Sequence, residues 1–380
     1  MYSRLPINIL LLFFITIMSA QIQNPKNIPF TWKTDLSKSS VNLSEIQIVL
    51  PKGSFPTLDQ PVFEGKDVGL NMFYKREPVI AVEIDGLAKA YSLNILTMHE
   101  IANDELGGKQ ILVTYCPLCN SGIVYNRVLK VNGENEILEF EASGMLRNSD
   151  MVMIDRSTES LWQQLLGTSI AGDYNEVELE IIPSLIISVE EFFNLYPEGK
   201  ILSKNTGFAG AESRYGFNPY TNYDKSDAPY ERFFDSELVD KRLPAMERVV
   251  DIENIGDYKI YSFTSVSEKG VINDIFKEKK VVLFFKEGTI SIMDQNDITK
   301  SRDVGSVTVF NSVLDGQHLT FKKESDYFTD NETGSKWDIS GRCISGDLQG
   351  KKLEIEPHSN HFAFAWLAFH PDSQIYSDLD

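Results

Sequence analysis

Parts of this 380-residue chain repeat each other, and a chain built twice from one unit has few ways to fold. Ala90-Tyr91-Ser92-Leu93 returns as Ile260-Tyr261-Ser262-Phe263, and Ile101-Ala102-Asn103-Asp104 returns as Val271-Ile272-Asn273-Asp274 in the same register. Farther on, Asp155, Thr158, Ser160 and Trp162 are echoed by Asp330, Thr333, Ser335 and Trp337, and Gly167 and Gly172 by Gly341 and Gly346. Phe193 to Pro197 corresponds to Leu367 to Pro371. Two copies of one domain-sized unit are therefore expected, over 78–203 and 247–380. An extension over 21–77 precedes them and a segment over 204–246 connects them.

The local patterns favour strands. Val79–Ile84, Ile111–Tyr115, Ile123–Val128, Ile137–Ala142 and Met151–Ile154 are short, apolar or alternating runs with Gly and Asn between them. Three helices are expected. Leu93–Asp104 carries His99; Glu190–Tyr196 follows the capping-box pattern Ser188-Val189-Glu190-Glu191 and stops before Pro197; Ser359–Phe369 is its counterpart before Pro371. The fold class expected is α+β, predominantly antiparallel β, with two pseudo-symmetric halves each closed by a short C-terminal helix.

Duplication sorts residues. Features in both copies build the fold, and features in one copy are candidates for function. Asp155 with Thr158 suits a turn in which side-chain oxygens bind backbone amides, with Trp162 packed beside it; a role for Asp155 as acid or ligand is the less common use of such a residue. The same register sets Lys286 opposite Cys116, Thr289 opposite Cys119, Lys269 and Gly270 opposite His99 and Glu100, and Asn331 opposite Arg156. The cysteine site thus belongs to the first half alone. Tyr215 to Lys241, rich in Tyr, Asp and Pro, reads either as a cover for a site or as an inert linker.

Tyr115-Cys116-Pro117-Leu118-Cys119 holds two of only three cysteines. Arg4, the apolar run Ile7 to Met18 and the small residues Ser19-Ala20 have the form of a signal peptide over 1–20, so a secreted or periplasmic protein is expected, where disulfides persist. No later stretch has the length of a membrane span. Losing Arg4 leaves 35 basic against 55 acidic residues, 35 − 55 = −20, which argues against nucleic acid as a partner. With 42% hydrophobic residues the chain has ample material for a core, and three cysteines are too few for a disulfide scaffold.

Three uses of the paired cysteines stay open. In a thiol-disulfide redox protein Cys116 attacks as nucleophile, Cys119 resolves the mixed disulfide, and His99 acts as base, with an unidentified redox partner or small molecule and no required cofactor. Nothing after Cys119 resembles the long helix of a thioredoxin. As a metal site, zinc or copper would be held by Cys116, Cys119 and His99, since a second cysteine pair is lacking. A structural disulfide in a binding module is the third. Glu100, Tyr115, Asp150 and Arg156 are supporting candidates. His358, His361 and His370 look like a cluster on paper, but packing and capping are their commoner uses, and Cys343 reads as a small buried hydrophobe.

The order His99-Glu100-Ile101-Ala102-Asn103-Asp104, Val113-Thr114-Tyr115-Cys116-Pro117-Leu118-Cys119, Ser143-Gly144-Met145-Leu146-Arg147-Asn148-Ser149-Asp150, then Asp155-Arg156 through Trp162, resembles the bacterial and archaeal family named domain of unknown function 3179. Phe364-Ala365-Trp366 with Phe369-His370-Pro371 is similar to that family's closing motif. The resemblance runs from about Val79 onward and implies no established activity. Some members carry selenocysteine within the two-cysteine motif, which implies redox chemistry at Cys116 and Cys119. Asn120 stands where many relatives have Gly.

Overall fold

The computed structural model describes residues 32–131 and 133–377, so the expected signal segment lies outside the described residues. Its main strands up to residue 203 are β1 (Pro78–Ile84), β2 (Leu87–Ser92), β3 (Ile101–Leu106), β4 (Lys109–Cys116), β5 (Ser121–Asn126), β6 (Phe140–Arg147), β7 (Asp150–Asp155), β8 (Leu161–Gln163), β9 (Thr168–Ala171), β10 (Leu185–Ser188) and β11 (Lys200–Leu202). After them come β12 (Arg248–Asn254), β13 (Asp257–Ser262), β14 (Val271–Phe276), β15 (Lys279–Lys286), β16 (Ser306–Asn311), β17 (Phe321–Glu324), β18 (Tyr327–Asp330), β19 (Lys336–Trp337), β20 (Cys343–Ser345), β21 (Asn360–Phe362) and β22 (Gln374–Ile375). The helices are α1 (Lys66–Met72), α2 (Leu93–His99), α3 (Val189–Leu195), α4 (Phe263–Lys269) and α5 (Ala363–Phe369). The fold is α+β and mostly antiparallel. Among the described residues no helix is long and apolar enough to cross a membrane.

Strand order recurs along the chain. One sheet contains β10-β1-β2-β11, antiparallel except for the β2/β11 pair, and β21-β12-β13-β22 is likewise antiparallel except for β13/β22. The meander β3-β4-β5 has its like in β14-β15-β16, and β6-β7-β8-β9 in β17-β18-β19-β20. A single pairing of Gly122 with Asn360 joins β5 to β21, so that one sheet runs from β3 through to β22. β4 lies inside that sheet and is buried from Ile111 to Cys116, which is why its sequence is a continuous apolar run rather than an alternating one.

Each helix is seven residues long, too short to persist alone, and is held by packing and by its first turn. Ser92, Ser188 and Ser262 accept hydrogen bonds from the amides of Ile95, Glu191 and Ser265 at 3.2, 3.2 and 3.1 Å. Only half of the expected capping box forms: the Glu191 carboxylate pairs with Lys286 at 2.6 Å instead of reaching back to Ser188. α2 stops at His99, not Asp104, because Glu100 turns left-handed (φ 61) and the next residues pair with β4. α5 starts at Ala363, not Ser359, because Asn360–Phe362 is taken up by β12. Phe364, Ala365, Trp366 and Leu367 of α5 share one core cluster with Tyr115, Cys116 and Cys119.

The Asp155 turn is structural. Asp155 Oδ1 accepts from the Thr158 amide at 2.7 Å and Oδ2 accepts from Trp162 Nε1 at 3.1 Å; Asp330, Thr333 and Trp337 make the same bonds at 2.6 and 2.9 Å. Both tryptophans are fully buried. Asp155→Ala strands an indole N–H and a backbone amide in the core, so chemical denaturation should show a loss of about 2 kcal/mol or more of stability.

Candidate functional site

Cys116 ends β4 opposite Ser121 of β5. The chain then makes one 3₁₀ turn over Pro117–Cys119, with proline in the first position where no amide is required. Asn120 closes the turn at φ 50, ψ 34, a left-handed conformation that Asn and Gly adopt at low cost. Both thiols are free.

Asp150 is delivered by a hairpin. Arg147 pairs with Asp150 across a two-residue turn, Asn148 and Ser149, whose φ values of 51° and 64° match the twist of the flanking strands. The Ser149 carbonyl accepts from Cys116 Sγ at 3.7 Å. Cys116 Sγ, Cys119 Sγ and one carboxylate oxygen of Asp150 all lie within 4.8 Å of one another, and all three residues are buried. This cluster can hold a metal ion. Asp150 Oδ2 accepts from Gln163 Nε2 at 2.7 Å and from the Leu165 amide at 2.9 Å, whereas buried Oδ1 has no hydrogen-bond partner among the described residues.

Desolvation governs the protonation of the cluster. Burial raises the Cys116 thiol above its ordinary value, and it raises Cys119 much further, with the Cys116 thiol and then Asp150 adding to the effect. Burial pushes Asp150 up to about 6 against the pull of its Gln163 and Leu165 bonds. Glu100 is pushed up to about 8 by burial and then by the Asp150 charge. In the absence of a cation this is a pocket of mostly protonated acids.

Glu100 is costly where it stands. It adopts φ 61, ψ −33, and Gly270 adopts φ 72, ψ −30 at the corresponding end of α4; each carbonyl accepts from the amide of the strand beyond, Tyr115 and Phe285. Holding a side-chain-bearing residue there costs roughly 1–3 kcal/mol. The residue is 8% exposed, and its carboxyl makes no hydrogen bond among the described residues.

The remaining candidates are not members of this cluster. The structure does not bring His99 into the cluster: Nδ1 meets the Pro56 carbonyl at 2.6 Å and Nε2 meets the Tyr215 hydroxyl at 2.6 Å, leaving neither nitrogen for a metal or for a thiol proton. Burial lowers its pKa. Arg156 is also remote, bound in ion pairs to Asp59, Glu139 and Glu141 at 3.0, 3.0 and 3.2 Å. Tyr115 is buried under the loop with its hydroxyl 3.4 Å from Asn120 Oδ1. His361 is fully buried, 3.3 Å from Asp251 and against Trp366; His370 packs between Tyr258 and Trp366; His358 meets the Glu356 carbonyl. Cys343 is buried in another core cluster.

The connecting segment does cover the site. Tyr223 donates to the Leu118 carbonyl at 3.0 Å, and the Ser149 amide donates to the Phe233 carbonyl at 3.1 Å. Beside the loop lies a mainly apolar cavity of ≈ 270 Å³ whose lining includes Leu118, Glu100, Met151, Tyr220 and Arg232.

Residues 52–373 match the family described as protein of unknown function (DUF3179). The chain belongs to that family. No curated protein and no solved structure is found to match it. Within this DUF3179 protein, Asp150 is the member of the cluster that sequence reasoning ranked too low. In the hairpin β17–β18 the residue that closes the two-residue turn, as Asp150 does in β6–β7, is Tyr327, which offers no carboxylate.

Two outcomes follow for Glu100. Glu100→Gly should stabilise the fold by on the order of 1 kcal/mol, strain relief exceeding the added chain entropy, as read by thermal unfolding. The carboxyl is protonated up to about pH 8 in the fold but only up to its ordinary value of 4.5 when unfolded, so the folded state binds the extra proton between them. Its contribution is full at low pH and is lost as pH rises through that window. Glu100→Gln should therefore lose less stability than the wild type between about pH 5 and pH 8.

Proposed function

We propose that this is an exported metal-binding protein in which Cys116, Cys119 and Asp150 are three ligands of one zinc ion, with the fourth position left for a small molecule. The observation that carries this reading is the buried convergence of two sulfurs and a carboxylate oxygen within 4.8 Å, together with the unpartnered Asp150 Oδ1. Two thiolates and a carboxylate in a dry pocket repel one another, and burial keeps the two thiols protonated; a divalent cation offsets both penalties as the thiol protons leave. Thiolate with carboxylate suits zinc, and copper is the softer alternative named from sequence. Three protein ligands with a vacant fourth is the pattern of a reactive rather than a purely structural zinc.

A second reading keeps the thiols as a redox pair, supported by two free sulfurs side by side. Asp150 then takes the place that sequence reasoning gave to His99, as acceptor of the Cys119 proton. Exposures of 1% and 0% for Cys116 and Cys119, with raised pKa values, oppose attack on a protein disulfide and favour only a small oxidant. The purely structural bridge has no support in sulfurs that are free.

The recurring strand order supports reading residues 78–203 and 247–380 as copies of one unit, the second lacking the centre. Lys286 stands at the position of Cys116, and its ammonium pairs with Glu191 of the other half. Export rests on the N-terminal sequence alone.

Metal analysis of protein purified without chelator should find about one zinc per chain, lost on Cys116→Ser and sharply weakened by Asp150→Asn. Wild-type protein that is free of metal, refuses zinc on titration, and cycles between dithiol and disulfide near the thioredoxin to disulfide-isomerase range would replace this reading with the redox one.

A further inference from the structure

Arg232 and Glu100 both line the apolar cavity beside the cysteine loop, yet neither has an ion pair among the described residues, with each other or with anything else. Arg232 is exposed and lies over the Phe233 ring at 4.6 Å, which fixes it at the rim. Glu100 is the opposite case: nine-tenths buried, strained in its backbone, and without a hydrogen bond. The rest of the wall is apolar, including Leu50, Phe55, Met151 and Phe233. An apolar cavity with one cationic rim group and one separate, buried polar group is shaped for an amphiphile with two polar ends.

We propose that this cavity binds a small aliphatic carboxylate whose carboxylate is met by Arg232 and whose far end carries a hydroxyl or similar polar group that hydrogen-bonds to Glu100. Leu118, between the two cysteines in sequence, forms part of the same wall, so a ligand in the cavity lies against the loop. The inference deepens the metal reading and rests on it for any reaction, but not for binding. It also accounts for a strained acid where the second half has glycine: the position serves a ligand rather than the fold.

The test is calorimetric titration of the full mature chain, its zinc content measured in the same sample, with 8-hydroxyoctanoate, octanoate and octylamine. Wild-type protein should bind 8-hydroxyoctanoate saturably and tighter than octanoate, and octylamine should not compete. Arg232→Ala should weaken both carboxylates about tenfold or more, while Glu100→Gly should weaken 8-hydroxyoctanoate to the level of octanoate even as its melting temperature rises. Zinc content should be unchanged in both variants. Absence of saturable binding, preference for octylamine, or unaltered affinity in both variants would overturn the cavity assignment whatever the zinc result. Binding in this pattern by a protein that takes up no zinc would uphold the cavity and discard the metal centre.

Discussion

A carboxylate kept out of water with one oxygen bound and the other bare is the condition on which the centre depends. Asp150 Oδ2 is fixed by Gln163 and by the Leu165 amide, and these partners are themselves set by β8. β8 is pinned by Trp162, whose indole N–H is tied to Asp155. An Asp–Trp turn that the chain builds twice thereby helps to position Asp150. At the corresponding place after Trp337 stands Asp338, whose carboxylate is occupied with Ser340 and Arg342 amides instead. The frame is shared, and the chemistry hung on it differs.

The comparison of Glu100 with Gly270 shows the opposite arrangement. Helix end, backbone conformation and carbonyl acceptor coincide at the two positions, and glycine satisfies all three without strain. A glutamate in that place has given up backbone ease and solvation of its carboxyl. Positions of that kind mark sites where stability and function pull against each other. The same tension is visible in the thiols, which burial makes harder to ionise even though ionised sulfur is what either metal or redox chemistry uses.

Strands and fold class were legible because apolar runs such as Ile111–Tyr115 become buried on both faces, and because echoed motifs fixed which turns are structural. Helix ends were not. Asn103 and Asp104 have helical company in sequence, but pairing with β4 outweighs local propensity, and Asn360–Phe362 is likewise recruited by a neighbour that sequence does not name. The two sulfurs were readable from spacing. The third member was not, since Asp150 reaches them from a hairpin tip, and proximity in space between residues 116 and 150 leaves no periodic trace. His99 was a candidate because the echoed motifs offer no histidine at Lys269, while its hydrogen-bond partners in the fold, Pro56 and Tyr215, lie far from it in sequence.

The single pairing of Gly122 with Asn360 links the strand that leaves the cysteine turn to one 360 − 122 = 238 residues later. Tyr223, which hydrogen-bonds to Leu118, is likewise made long after the cysteines. The sulfurs are thus enclosed late in the history of each molecule, once distant segments have docked. Any reagent that must touch the sulfurs therefore has its easiest access before those segments dock.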